Sequence, residues 1–107
     1  MIAKGQIVGL HVNPNGGVPK LRVDSLEITK NGCVGDKQNN RKHHGGPQKA
    51  VCLFSHELLE HLSNEGHPIS PGSTGENVLI SGLDPETLGT GVVLEIGDVV
   101  LEITEDA

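Results

Sequence analysis

The chain has 107 residues, which at the usual ~100 to 200 residues per domain leaves room for one folding unit, so a single domain over 1–107 is expected. It is 35% hydrophobic with 15 glycines, against disorder, and with no Trp, no Tyr and only Phe54 it lacks the aromatic platforms of single-strand nucleic-acid binders. Residues 1–49 hold all eight Lys and Arg against three carboxylates, +5, whereas residues 50–107 hold eleven carboxylates and no Lys or Arg, −11. That division points to an anionic partner on the basic side. No run approaches the ~20 apolar residues of a membrane helix and no secretory core opens the chain, so no membrane partner and a cytoplasmic location are expected. Cys33 and Cys52 are too few for a disulfide framework and are read as free thiols.

Residues Gly5 to Val12 carry Ile7, Val8, Leu10 and Val12 in a β-prone run that ends at the turn formers Asn13-Pro14-Asn15-Gly16-Gly17. Leu21 to Thr29 alternates through Val23 and slips phase at Glu27 and Ile28, the expected mark of a bulge. Residues 35–48 are polar and glycine-rich without apolar period, an exposed loop of the kind that carries function. Lys49 to Phe54 reads as a buried strand holding an inert Cys52, and Ser55 as the N-cap of a helix over 55–65. That helix places Leu58, Leu59 and Leu62 on one face and stops at Gly66 and Pro68. A loop over Pro68 to Gly75, a strand over Glu76 to Ile80 and one helical turn over Asp84-Pro85-Glu86-Thr87 should follow. The repeats VVLEI and VVLEIT flank Gly97-Asp98, the signature of a two-residue II′ hairpin. Pairing Ile96 with Val99 sets Leu94 opposite Leu101 and Val92 opposite Ile103, with Glu95 and Glu102 on the other face. The elements together predict a mostly β fold (β-rich α+β), antiparallel, barrel or sandwich, with one short amphipathic helix.

The densest cationic stretch is Asp36 to Lys49, where Lys37, Arg41, Lys42 and Lys49 outweigh Asp36 beside His43 and His44. Gly45 and Gly46 allow a main chain to approach a ligand and aim its N–H groups at an anion. Arg41 offers a planar fork for an oxyanion, Lys37 or Lys49 a point charge, and His44 a donor or acceptor near neutrality. Asp36 can orient Arg41 or close an Asx-turn, and Glu76-Asn77 can meet a ligand or satisfy loop N–H groups.

The stretch Gly35-Asp36 through His43-His44-Gly45-Gly46-Pro47-Gln48-Lys49-Ala50-Val51 resembles the signature of the MOSC domain, the family named after the C-terminal domain of molybdenum cofactor sulfurases. Gly75-Glu76-Asn77 and Ile96-Gly97-Asp98-Val99 also look like that family, so the resemblance runs from about Gly5 to Thr104. It implies a MOSC-like β-barrel and binding of the molybdenum cofactor (molybdopterin) or handling of its sulfur, in some members with reduction of N-hydroxylated compounds. The cofactor-binding residues it implies are Arg41, His44, Gly45, Gly46, Lys49, Glu76 and Asn77, and the partner a sulfur or electron donor protein. In the family a cysteine, often after a proline, follows the last hairpin as the proposed molybdenum or sulfur ligand. The chain reaches Glu105-Asp106-Ala107 without one, and neither Cys33 nor Cys52 occupies its position. The resemblance thus implies a domain incomplete at its C-terminus, weak cofactor binding and little or no activity over these residues. Two other readings stand beside it: a non-catalytic anion-binding or protein-interaction module, and a hydrolase metal held by His43, His44 and a third ligand among His11, His56, His61 and His67.

Overall fold

The computed structural model describes residues 2–37, 51–83 and 89–104. In chain order the elements are β1 (Ile2–Lys4), β2 (Gln6–Val12), β3 (Leu21–Val23), β4 (Ile28–Thr29), β5 (Gly32–Cys33), β6 (Leu53–Ser55), α1 (His56–Asn64), β7 (Val78–Ser81), β8 (Val93–Ile96) and β9 (Val99–Glu102). The expected mostly β fold with one short helix is what the chain forms. The strands pair as three sheets, ordered β3-β2-β7-β6, β1-β8-β9 and β4-β5. Among the described residues these sheets do not close into a barrel, since β3, β6, β1 and β9 remain edges.

Nor is the pairing all antiparallel, as the alternation of short strands suggested. β6 runs parallel to β7, because α1 carries the chain back between them, and β1 runs parallel to β8. A register shift between Ile7 and Gly9 leaves Val8 as an extra residue in β2 opposite β7, so the bulge lies there and not at Glu27. At Glu27 the strand has already ended, and Ile28 and Thr29 start the separate ribbon with β5.

The C-terminal hairpin has the register its symmetry predicts. Ile96 faces Val99, Leu94 faces Leu101, and Ile103 N donates to Val92 O at 2.9 Å. Gly97 supplies the positive φ, +57°, that the first turn position of a II′ hairpin requires. Helix α1 starts where Ser55 Oγ accepts from Leu58 N at 3.2 Å, and ends where Gly66 takes φ +99°. Leu59 is its buried residue, whereas Leu58, expected on the same face, is exposed. Glu57 reaches back from the first turn to accept from Gly82 N at 2.9 Å, fastening the helix to the end of β7.

The core lies between the two larger sheets. Val78, Ile80, Leu83 and Leu94 are buried together, with Leu10, Leu26, Leu53, Val92, Ile96 and Ile103 packed around them. With no Trp or Tyr, these aliphatic side chains supply the hydrophobic stabilisation, about 25 cal/mol per Å² of apolar surface removed from water. The helical turn expected over Asp84 to Thr87 falls outside the described residues. Among those described, no helix is long and apolar enough to cross a membrane.

Candidate functional site

The cationic segment leaves the described structure after Lys37 and returns at Val51, and its two ends meet on one side chain. Asn77, fully buried, donates from Nδ2 to Asp36 Oδ2 at 2.9 Å and to His11 O at 3.1 Å. Its Oδ1 accepts from Cys52 N at 3.1 Å, while its own N donates to Cys52 O at 2.8 Å. Its carbonyl accepts from His11 N at 2.8 Å. Every hydrogen-bonding group of Asn77 therefore joins β2, the Asp36 turn or the entry to β6. A buried amide so fully paired is a strong local constraint, since each orphaned partner would cost about 1–3 kcal/mol.

Asp36 is the second node. It accepts from Asn13 N at 2.7 Å, from Lys20 Nζ at 2.6 Å and from Asn77. Burial of the Asp36 carboxylate raises its pKa, but the bonds from Lys20, Asn13 and Asn77 outweigh that and hold it below the usual carboxylate range. The Lys20 and Asp36 side chains are 10% and 2% exposed, so this is an interior ion pair. It fixes Asp36 as the anchor of the turn through Gly35, whose φ of +87° suits glycine.

Glu76 forms the third node. Its Oε2 accepts from Gly72 N at 3.0 Å and its Oε1 from Thr74 Oγ1 at 2.6 Å, and it is fully buried. Behind it stands His11, 2% exposed, with Nδ1 4.0 Å from Glu76 Oε2 and without a hydrogen-bond partner. Gly72 keeps φ +87°, and a Cβ there would strike the Lys20 carbonyl, so the 70–75 turn can lie on the Lys20 strand only through a glycine. Lys20 N completes that contact with a 2.9 Å bond to Gly72 O.

Two thiols flank the Lys20–Asp36 pair. Cys33 is buried, and loss of water followed by the Asp36 charge pushes its pKa up to about 11. Cys52, expected inside an apolar strand, is exposed one residue before β6. Loss of water around its sulfur still raises its pKa, with Lys20 opposing and Glu76 and Asp36 adding.

Of the residues singled out by sequence, Glu76 and Asn77 stand in this buried frame. Arg41, His44, Gly45, Gly46 and Lys49 lie outside the described residues, as does His43. Lys20 was not singled out, although it pairs with Asp36. Its only signal was a lysine after the turn at Gly16-Gly17, with nothing in the spacing to join it to Asp36. Among the described residues no three His, Cys, Asp or Glu side chains come together as a metal site. His56 and His61 instead pair along the helix with Glu60 and Glu65, at 2.8 and 3.0 Å.

Similarity to known proteins bears on the family and the fold of the chain. A family model, MOSC domain, matches residues 40–107. YflK of Bacillus subtilis (strain 168), a protein described as uncharacterized, is 35% identical over 75 residues, 66% of this chain and 33% of YflK. Protein YiiM of Escherichia coli (strain K12) is 26% identical over an alignment of 107 positions, 94% of this chain and 47% of YiiM. The crystal structure of a hypothetical protein is similar in fold, with TM-score 0.69 at 23% identity, covering 92% of this chain and 44% of that one. The chain thus spans half or less of the length of these relatives.

Proposed function

Since the chain belongs to the MOSC domain family, we propose that it binds the molybdenum cofactor, a molybdopterin, through the segment between Asp36 and Cys52. One observation carries the reading: the two ends of that segment are joined on the single buried side chain of Asn77, at 2.9 and 3.1 Å. The two anchors, Asp36 and Cys52, belong to a rigid buried frame, and segments that leave and re-enter such a frame are where binding groups concentrate. The donor set suits the group. Its phosphate and oxo ligands call for the Arg41 fork, the Lys49 ammonium, the His44 imidazole and the Gly45 and Gly46 N–H groups. Glu76 and Asn77 act as positioning residues, through Gly72 and Thr74 and through Asp36 and Cys52 respectively. When bound, the cofactor supplies a metal centre for sulfur handling or for reduction of N-hydroxylated compounds, with a sulfur or electron donor protein as partner. Neither Cys33, buried and protonated, nor Cys52 is assigned as a ligand to the metal.

Calorimetric titration of the chain with molybdate and tungstate, beside pterin and molybdenum analysis of protein from a host that makes the cofactor, tests this. Arg41→Ala and Gly46→Val should each weaken oxyanion binding about tenfold or more, 1.4 kcal/mol, with the melting temperature unchanged. Binding that survives both substitutions, or that falls only as far as stability falls, overturns the proposal.

A further inference from the structure

A cavity adjoins the buried frame at Lys20 and His11, and its lining includes none of the described residues between Asp36 and Cys52. Leu10 and Val78 are register partners and face the core, so their neighbours Gly9 and Leu79, also partners, face away from it. On that outer face the cavity, of about 310 Å³, opens over β2 and β3. Val8, the extra residue of the bulge, lines it beside Gly9, Pro71 and Leu79 supply further apolar wall, and Leu21 borders it. His11, Lys20 and Arg22 line it as well.

The polar groups at this cavity are unequal. Lys20 is neutralised by Asp36 at 2.6 Å. Arg22 is exposed and has no ion-pair partner among the described residues, and it sits directly across from His11 in the β2–β3 register. Such a cross-strand pair has Cβ atoms within about 5.5 Å, close enough for both side chains to reach one small group. The His11 ring lies over Gly9: a Cβ on Gly9 would come within 2.9 Å of Cε1 and 3.3 Å of Nε2. The cavity therefore meets the Cε1–Nε2 edge of a ring that is 2% exposed and whose other nitrogen has no hydrogen-bond partner. The unpartnered nitrogen, Nδ1, lies on the Glu76 side, and Nε2 is the ring nitrogen on the Gly9 side.

We propose that this cavity binds a small apolar monocarboxylate, with the carboxylate on the Arg22 guanidinium beside His11 and the hydrocarbon body against Val8, Pro71 and Leu79. One unpaired cation fits one negative charge, which disfavours a phosphate dianion. The planar fork suits a carboxylate, and the apolar walls suit a hydrocarbon body rather than a bare inorganic ion.

Amide NMR spectra of the chain titrated with benzoate, hexanoate, benzamide and inorganic phosphate test the assignment. Benzoate and hexanoate should shift the amides of His11, Arg22 and Gly72 saturably, while benzamide and phosphate leave them in place. Arg22→Met should weaken benzoate binding about tenfold or more, and Arg22→Lys less, because charge without the fork is retained. Arg22 is exposed on an edge strand, so neither substitution should lower the melting temperature. Arg41→Ala should leave benzoate binding unchanged, which separates this site from the cofactor segment. Absence of saturable shifts with either carboxylate, equal binding of benzamide, or sensitivity to Arg41→Ala with indifference to Arg22→Met overturns the proposal.

Discussion

Asn77 Nδ2 donates to Asp36 Oδ2 at 2.9 Å across 41 residues of chain, and the same side chain accepts from Cys52 N. Replacing Asn77 by Ala orphans the Cys52 N–H and the His11 carbonyl and removes a donor from Asp36. At about 1–3 kcal/mol for each buried group left unpaired, the loss should be about 3 kcal/mol or more. Urea denaturation measures it, and a loss below about 1 kcal/mol would show that water replaces the amide.

The Lys20–Asp36 pair should be visible in the pH dependence of stability. The bonds from Lys20, Asn13 and Asn77 hold the Asp36 carboxyl below its ordinary range in the folded chain, so the folded state favours the carboxylate. Its contribution is fully present above the ordinary carboxylate range and disappears as pH falls through the lowered folded value. Lys20→Met removes the partner of a buried charge at a cost of about 3 kcal/mol at pH 7. Asp36→Asn combined with Lys20→Met should recover part of that loss and flatten the acid limb of the stability curve, below the ordinary carboxylate range. An acid limb identical in wild type and double variant would remove Asp36 from the account.

The thiols should differ in reactivity. With its pKa near 11 and its side chain buried, Cys33 holds almost no thiolate at neutral pH. Cys52 is exposed, yet its pKa is also raised, so alkylation should be slow and accelerate with pH. Mass spectrometry after iodoacetamide treatment of the folded chain should find Cys52 modified first. Modification of Cys33 first would require an opening of the β4–β5 ribbon.

In the hairpin, burial separates two neighbours of similar chemistry. Leu94 is 1% exposed and belongs to the core cluster, so Leu94→Ala should cost about 2–5 kcal/mol. Val100 is 67% exposed, and Val100→Thr should stay within about 0.5 kcal/mol. Thermal unfolding of the two variants gives the comparison, and equal losses would contradict the placement of β8.

What could be read from the residues was local. The hairpin register followed from the repeat around Gly97-Asp98, and the Ser55 cap from its place before Leu58, because both depend on contacts a few residues apart. The parallel contacts of β1 with β8 and of β6 with β7 carry no period that distinguishes them from antiparallel pairing. Nor does Lys20 announce its partner: its bond to Asp36 spans 16 residues and depends on where the Gly72 turn lies. Glu76 and Asn77 were legible as a polar pair at a strand start, whereas their burial came only from the loops that close over them. The apolar run from Lys49 to Phe54 suggests a buried strand through Cys52, but β6 begins only at Leu53 and leaves Cys52 exposed.

The parallel register of β1 against β8, Ile2 opposite Val93, also bears on the order in which the chain acquires structure. As the polypeptide leaves the ribosome, β1 has no partner until the residues of β8 have been made, and β2 must wait for Val78 to Ser81 to gain its central neighbour. Such distant pairings pay loop-closure entropy before they return contact energy, and they fold slowly. The nascent N-terminal strands therefore present open edges through most of synthesis, so a pause or truncation between β6 and β8 exposes them to pairing with other chains.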